Sequence, residues 1–177
     1  MKIQTEKKRV YLETLEIGDA EEIACQANDA ELSQSVAAAG EFPHPYSIDD
    51  AMMFIAGAAE EFARGKGYHF GIKMDNGKVI GMAGIRNIDN ESHTGEIGFW
   101  IGRGYRRHGF ATEAVASLIT FGFGELVLEK IFAEVLVSNH RSISLLSKLG
   151  FASERQGIVR TGTGKVSDTL IMSLARG

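Results

Sequence analysis

Residues 98–115 constrain this chain more than any other stretch. Gly98-Phe-Trp-Ile101 reads as a strand, Gly102-Arg-Gly-Tyr-Arg-Arg-His-Gly109 as a glycine-rich loop, and Phe110-Ala-Thr-Glu-Ala opens a helix. A strand that turns through glycines into a helix points unpaired backbone N–H groups and the positive end of the helix dipole at one place, which makes an anion site. Arg106 and Arg107 add full charges to it. Two common phosphate-binding designs fail here. Gly104 and Gly109 have the spacing of a nucleoside-triphosphate loop, but Phe110-Ala111 stand where lysine and a magnesium-binding hydroxyl are needed. The dinucleotide fingerprint fails because Gly102 and Gly104 are followed by glycine at 109 and not at 107.

The surrounding pattern places this loop after an antiparallel meander. Val10–Leu15 alternates like a strand, and Asp19 is the expected N-cap of a helix over Ala20–Ala27, with a second helix over Asp29–Ala38. Both prolines fall in Phe42-Pro-His-Pro-Tyr46, and Ser47 then caps a helix from Ile48 to Arg64. Tyr68–Met74, a hairpin turn at Asp75-Asn76-Gly77, Lys78–Ile88 and Gly95–Ile101 form the meander. Past Gly109 the apolar spacing becomes helical, Ile131–Val137 reads as a buried strand, and Asn139 caps a short helix that ends at Gly150. Phe151–Val159 and Val166–Leu174 complete about seven strands.

Length and composition fit one globular domain over residues 1–177, with 44% apolar and 24% charged residues. The single cysteine, Cys25, excludes an internal disulfide and a Cys-rich zinc site, and it is expected as buried helix packing. His44, His69, His93, His108 and His140 are too scattered for a metal motif, so no metal is expected. Met1–Arg9 is charged where a secretory leader needs an apolar run, and the longest apolar stretch is about half of a ~20-residue membrane span. The expectation is a soluble, cytoplasmic protein with neither a membrane nor a nucleic acid as partner, since the net charge of −4 disfavours a polyanion binder. Charge is nevertheless segregated: residues 10–63 carry 12 acids and no lysine or arginine, which suits a cationic ligand on one side and an anion on the other.

Arg106-x-x-Gly109-x-Ala111 resembles the pyrophosphate loop of the GNAT superfamily of acetyl-CoA-dependent N-acetyltransferases. Asn139-x-x-Ser142-x-x-Leu145-x-x-Lys148-x-Gly150-Phe151 is similar to that superfamily's second motif. Glu96-Ile-Gly-Phe-Trp-Ile101, Thr112-Glu113-Ala114 and Phe42-Pro-His-Pro-Tyr46 look like the branch that acetylates ribosomal-protein N-termini. The resemblance covers nearly the whole chain. It implies an α/β (α+β) GNAT fold, a twisted, mixed, mostly antiparallel sheet with helices on both faces and coenzyme between the fourth and fifth of these strands.

The resemblance also distributes roles. N–H groups of Arg107, His108, Gly109, Phe110, Ala111 and Thr112, with the charge of Arg106, would cradle the pyrophosphate. The backbone of Phe99, Trp100 and Ile101 would bond the pantetheine arm, while the aromatic side chains pack in the core. Asn139 is expected to cap its helix and to touch the coenzyme arm. Ser142 would donate to the departing thiolate, because no tyrosine follows Tyr105. Glu96 is the candidate base, directly or through water, and Glu113 is expected to be structural. At pH 7 an α-amine of pKa ~7.8 costs about 1 kcal/mol to neutralise and a lysine amine of pKa ~10.4 about 4.6 kcal/mol, so an N-terminal amine is the preferred acceptor. A small cationic amine such as a polyamine or aminoglycoside is the alternative, followed by a CoA-binding sensor without catalysis. A homodimer is left open.

Overall fold

In a computed structural model, residues 1–35, 42–160 and 166–177 are described. Among them the chain runs β1 (Lys2–Gln4), β2 (Tyr11–Thr14), α1 (Ala20–Ala27), α2 (Ala30–Ser35), α3 (Ile48–Ala63), β3 (Tyr68–Lys73), β4 (Val79–Asp89) and β5 (Thr94–Ile101). It continues through α4 (Phe110–Gly124), β6 (Lys130–Leu136), α5 (His140–Lys148), β7 (Ala152–Arg160) and β8 (Val166–Ala175). One sheet takes all eight strands in the order β1-β2-β3-β4-β5-β6-β8-β7, one more strand than the alternation alone gives. The addition is β1, whose three residues are too short to show a period but pair with β2 from Lys2↔Glu13 to Gln4↔Tyr11. Every strand pair is antiparallel except β5 with β6.

Helix boundaries follow local chemistry in most places. Ser47 accepts from the Asp50 N–H at 3.1 Å, and the Asp50 carboxylate in turn accepts from the Ser47 N–H at 2.8 Å, a reciprocal cap that starts α3. Gly150, at φ 92°, lets the Phe151 N–H turn back to Leu146 at 3.0 Å and stop α5. Asp19 departs from expectation. It makes no cap bond to α1; its carboxylate accepts from the Glu16 N–H at 3.0 Å and pairs at 2.9 Å with the buried Lys73, which Glu13 also meets at 3.3 Å. Burial alone would push the Lys73 ammonium down, but these two carboxylates outweigh it and raise it. The second helix ends at Ser35, and the part of its expected span over 36–38 lies outside the described residues.

The two sheet faces carry separate cores. On one, Phe70, Ile72, Ile80, Ile85, Ile97 and Ile131 pack against Ala114, Val115, Leu118 and Phe121 of α4, with Leu146 of α5. On the other, Val79, Met82 and Trp100 pack under Ile23 and Ala27 of α1 and Ala51 and Ile55 of α3. Alternation within β5 divides its residues accordingly: Ile97 and Ile101 belong to the α4 face, whereas Glu96, Gly98 and Trp100 belong to the face of α1 and α3. Phe99 packs against the first core and Trp100 is buried in the second, so both aromatic side chains are core as expected.

Candidate active site

β5 and β6 are in register at only three positions, Thr94↔Lys130, Gly95↔Ile131 and Glu96↔Phe132. Beyond Glu96 the strands part. β5 stays bonded on its other side to β4 up to Gly81↔Ile101, so Ile97–Ile101 turn an unpaired backbone edge, including Phe99, Trp100 and Ile101, towards the gap. Buried backbone groups need partners, so an edge of this kind inside a sheet is a place for a ligand that can hydrogen-bond as a strand does.

The loop and the start of α4 lie at the end of the same gap. Arg107 and Gly109 adopt left-handed φ values of 66° and 80°, and no side chain caps α4. The first helical bond runs from the Glu113 N–H to Gly109 at 3.1 Å, and the N–H groups from Arg107 to Thr112 take no backbone acceptor among the described residues. This is the geometry that binds an anion at a helix N-terminus. Arg107, His108 and Gly109 are exposed, and the His108 ring stacks on Phe110 at 5.7 Å. The residues present therefore fit a pyrophosphate and an extended amide-bearing arm running from it along β5.

Arg106 sits differently from its neighbours. Its guanidinium donates to the Ile101 carbonyl at 3.1 Å, to Asp29 at 2.6 Å and to Glu31 at 3.0 Å, so its charge is met by carboxylates of the α1–α2 segment. Glu31 also takes Arg141 of α5 at 2.6 Å and thereby joins the two sides of the gap. Burial is the largest influence on the Asp29 carboxyl and pushes it up, but the Glu31 N–H and the Arg106 charge prevail and hold it below its ordinary value. A cavity of about 380 Å³ beside this clasp is lined by Cys25, Gln26, Asn28, Asp29, Ala30, Glu31, Arg103 and Gly104. Cys25 is exposed there and not buried, because α1 turns Ile23, Ala24 and Ala27 inward.

A second support of the loop left no signal in the sequence. The buried Glu113 accepts from Thr5 at 2.5 Å, from the Arg9 N–H at 3.1 Å and from the Arg9 guanidinium at 2.9 Å, while Arg9 also donates to the His108 carbonyl at 2.9 Å. Burial again raises the carboxyl most, and the Thr5 and Arg9 bonds overcome it, leaving Glu113 below its usual range. Glu113 is thus structural, as expected, through partners 104 residues and more away.

Asn139 caps α5 by accepting the Ser142 N–H at 3.2 Å, which sets Ser142 in the first turn facing the dipole end. Glu96 lies on the α1–α3 face, buried, with both oxygens engaged: the Arg86 guanidinium donates to one at 2.6 Å and the Asn87 amide to the other at 2.7 Å. Gly98, two residues on, is exposed, and a Cβ there would meet nothing within 4 Å. His44 is exposed, whereas Phe42 and Tyr46 of the same segment pack on each other, and Phe42 stands edge-on to Trp100 at 6.2 Å. Among the described residues no group of three His, Cys, Asp or Glu could hold a metal, and no helix is long and apolar enough to cross a membrane.

Residues 9–152 match the acetyltransferase (GNAT) domain. The chain belongs to the GNAT acetyltransferase family. The GNAT chain is 31% identical over 176 residues to the uncharacterized N-acetyltransferase YoaA of Bacillus subtilis, covering 97% of this chain and 96% of that one. It is 38% identical over 108 residues to the uncharacterized N-acetyltransferase p20 of Bacillus licheniformis, covering 59% and 60%. It is 31% identical over 101 residues to the ribosomal protein uS5-alanine N-acetyltransferase of Escherichia coli, covering 55% and 52%. The ribosomal-protein-S5-alanine acetyltransferase of Vibrio fischeri has the same fold, with a TM-score of 0.84 at 21% identity over 99% of this chain and 96% of that one. So does the spermidine N-acetyltransferase of Vibrio cholerae solved with CoA and spermine, with 0.79 at 21% over 94% and 95%. This GNAT protein is an acetyl-CoA-dependent N-acetyltransferase.

Proposed function

We propose that the enzyme acetylates the N-terminal α-amine of a protein or peptide, with a ribosomal protein as the acceptor class. The observation that carries this reading is the parting of β5 from β6 beneath a sheet face left open at Gly98, which lets an extended acceptor end reach a thioester laid along β5. Similarity to the uS5-alanine enzyme supports the acceptor class, and a cytoplasmic setting would follow from it. The N–H groups from Arg107 to Thr112 hold the pyrophosphate. The backbone of Phe99, Trp100 and Ile101 aligns the pantetheine arm. The arm brings a thioester whose carbonyl carbon is the electrophile.

A neutral amine attacks that carbon, the C–S bond breaks, and Ser142 donates a hydrogen bond to the sulfur that leaves, in the field of the α5 dipole. Asn139 fixes that helix start and lies against the coenzyme arm. Glu96, held by Arg86 and Asn87, is the base that takes the proton of the ammonium, directly or through water. Neutralising an α-amine costs about 1 kcal/mol at pH 7, so alignment supplies much of the rate. A second reading, a small cationic amine as acceptor, is favoured by the acidic stretch 10–63 and by the likeness to the spermidine enzyme.

The test is thiol release from acetyl-CoA across N-terminal peptides, polyamines, aminoglycosides and free amino acids, with CoA binding followed by calorimetry. Peptide turnover at least about tenfold above that of the polyamines supports the first reading. The reverse order would establish the second, and CoA binding with no turnover on any amine would overturn both. Ser142→Ala should lower kcat about tenfold while CoA affinity holds, as expected for one hydrogen bond made to the leaving group.

A further inference from the structure

The solvent side of α3 is apolar where a surface helix ordinarily carries charge. The helix reads Ala51-Met-Met-Phe-Ile-Ala-Gly-Ala-Ala59 through its middle, nine residues without a polar side chain, and charge returns only at its ends with Asp49, Asp50, Glu60 and Glu61. Ala51, Ile55 and Ala58 are buried, which accounts for one side. Ile48, Met52, Met53, Ala56, Gly57 and Ala59 face solvent, and Met53 is 66% exposed. Four of the ten exposed large apolar side chains among the described residues, Ile48, Met52, Met53 and Phe62, lie on this one helix, so the exposure is a patch and not scatter.

The exposed side is also lopsided. Ile48, Met52 and Met53 stand in its N-terminal half, and the small residues Ala56, Gly57, Ala59 and Ala63 fill the rest. Such a helix complements itself when a second copy lies antiparallel: each methionine then meets an alanine of the other copy, and the small residues at the middle let the axes approach to about 8 Å. Charge agrees with that orientation. In an antiparallel pair centred on Ala56, the exposed Asp49 of each copy falls beside Arg64 of the other, while within its own copy Arg64 meets Glu60 at 3.3 Å in an ion pair largely open to water. The two helix dipoles also run opposite. A parallel pair would set methionine on methionine and Asp49 on Asp49.

We infer that α3 is the interface of a two-fold homodimer, packed antiparallel about Ala56 against α3 of a second copy. The inference concerns assembly, so it goes beyond the acetyl-transfer reading and stands whichever amine is the acceptor.

The experiment follows the full chain by sedimentation equilibrium between about 1 and about 200 μM. Wild type should dimerise with a Kd of about 10 μM or tighter. Met53→Glu puts a charge into the middle of the interface and should weaken the dimer at least about 100-fold, with circular dichroism and CoA affinity unchanged because Met53 is exposed in the single chain. Asp49→Arg and Arg64→Asp should each weaken the dimer about tenfold, since two-fold symmetry counts every change twice, and the double variant should return to within about threefold of wild type. In a Cys25→Ser background, Ala56→Cys should form a disulfide between copies under mild oxidation, whereas Ile158→Cys, exposed on the edge strand β7, should not. A wild type that stays monomeric at about 200 μM would overturn the inference. So would a dimer that Met53→Glu leaves within about threefold of wild type, or single charge variants that the double variant does not rescue. A monomeric wild type in which Met53→Glu raises KM for a protein acceptor but not for a short peptide would make the face a docking surface for the acceptor, and the homodimer would fall.

Discussion

The part of the cleft assigned to the coenzyme is mostly one continuous stretch, residues 97–112, joined by Asn139 and Ser142 at the start of α5, whereas the part assigned to the acceptor collects single side chains from β4 and β5. The first part works mainly through backbone: an unpaired strand edge, a left-handed glycine and free N–H groups at a helix start. The second works through side chains, with Arg86 and Asn87 on Glu96. Backbone recognition needs few particular residues and tolerates change around them. Side-chain recognition needs particular residues, and these can change one at a time as the acceptor changes. The contrast explains why coenzyme recognition reads directly from one loop while acceptor identity does not.

Breaking the backbone half should have the largest effect. At φ 80°, Gly109 allows the chain to turn into α4, and a β-branched residue there is strained, with its Cβ 3.4 Å from the Arg9 guanidinium that also holds the loop. Gly109→Val is expected to weaken CoA binding about 100-fold by calorimetry, with acceptor KM at saturating acetyl-CoA unchanged within about twofold. A variant that bound CoA normally would mean that the loop is not the anion site.

The support behind that loop comes next. Glu113→Gln removes the charge that meets Arg9, and because the Arg9 side chain is 43% exposed the loss should be about 2 kcal/mol and not the 3–5 of a fully buried pair. The folded carboxyl lies below its ordinary value, so its contribution is fully present above the usual carboxylate range and fades as pH falls through the depressed folded value. The Tm gap between wild type and variant should therefore be widest near neutral pH and narrow between about pH 5 and pH 3. A gap that did not change with pH would locate the loss in packing and not in charge.

How much of this was legible in the sequence follows from the same contrast. Ser47, Asn139 and Gly150 mark helix ends through bonds spanning a few residues, and all three act as their local pattern implies. Asp19 follows the same local rule on paper, but Lys73 of β3, distant in sequence and near in space, takes its carboxylate. Glu113 was legible as structural, yet its partners Thr5 and Arg9 were not, since nothing in a charged amino terminus says which helix it straps. β1 is too short to carry a period. The gap itself shows only in the strand pairing, since β5 and β6 part beyond Glu96.

The acceptor half can be probed without touching a charge. Gly98 is exposed and a Cβ meets nothing within 4 Å, so a larger residue fits the fold. Gly98→Leu should fill the opening, raise acceptor KM about tenfold and leave thermal stability unchanged, because a side chain in open space displaces only water and substrate. Equal acceptor KM in variant and wild type would mean that the amine arrives from elsewhere.

The smallest effect expected is at the clasp that joins the two halves. Glu31 pairs with Arg106 at 3.0 Å and Arg141 at 2.6 Å, but its side chain is 58% exposed, and a pair so wetted contributes well under about 1 kcal/mol. Arg106 keeps Asp29 at 2.6 Å and the Ile101 carbonyl at 3.1 Å when Glu31 is neutralised, so the loop stays fastened. Glu31→Gln is therefore expected to shift Tm by no more than about 2 °C, with a difference that disappears at 1 M salt, where the screening length is about 3 Å. Because Glu31 ties Arg141 on one side of the gap to Arg106 on the other, its loss should speed coenzyme association and dissociation together and leave Kd nearly constant. A change in Kd without a change in rates would instead make Glu31 part of the binding surface, and the division between a backbone half and a side-chain half would then fail at the point where the two meet.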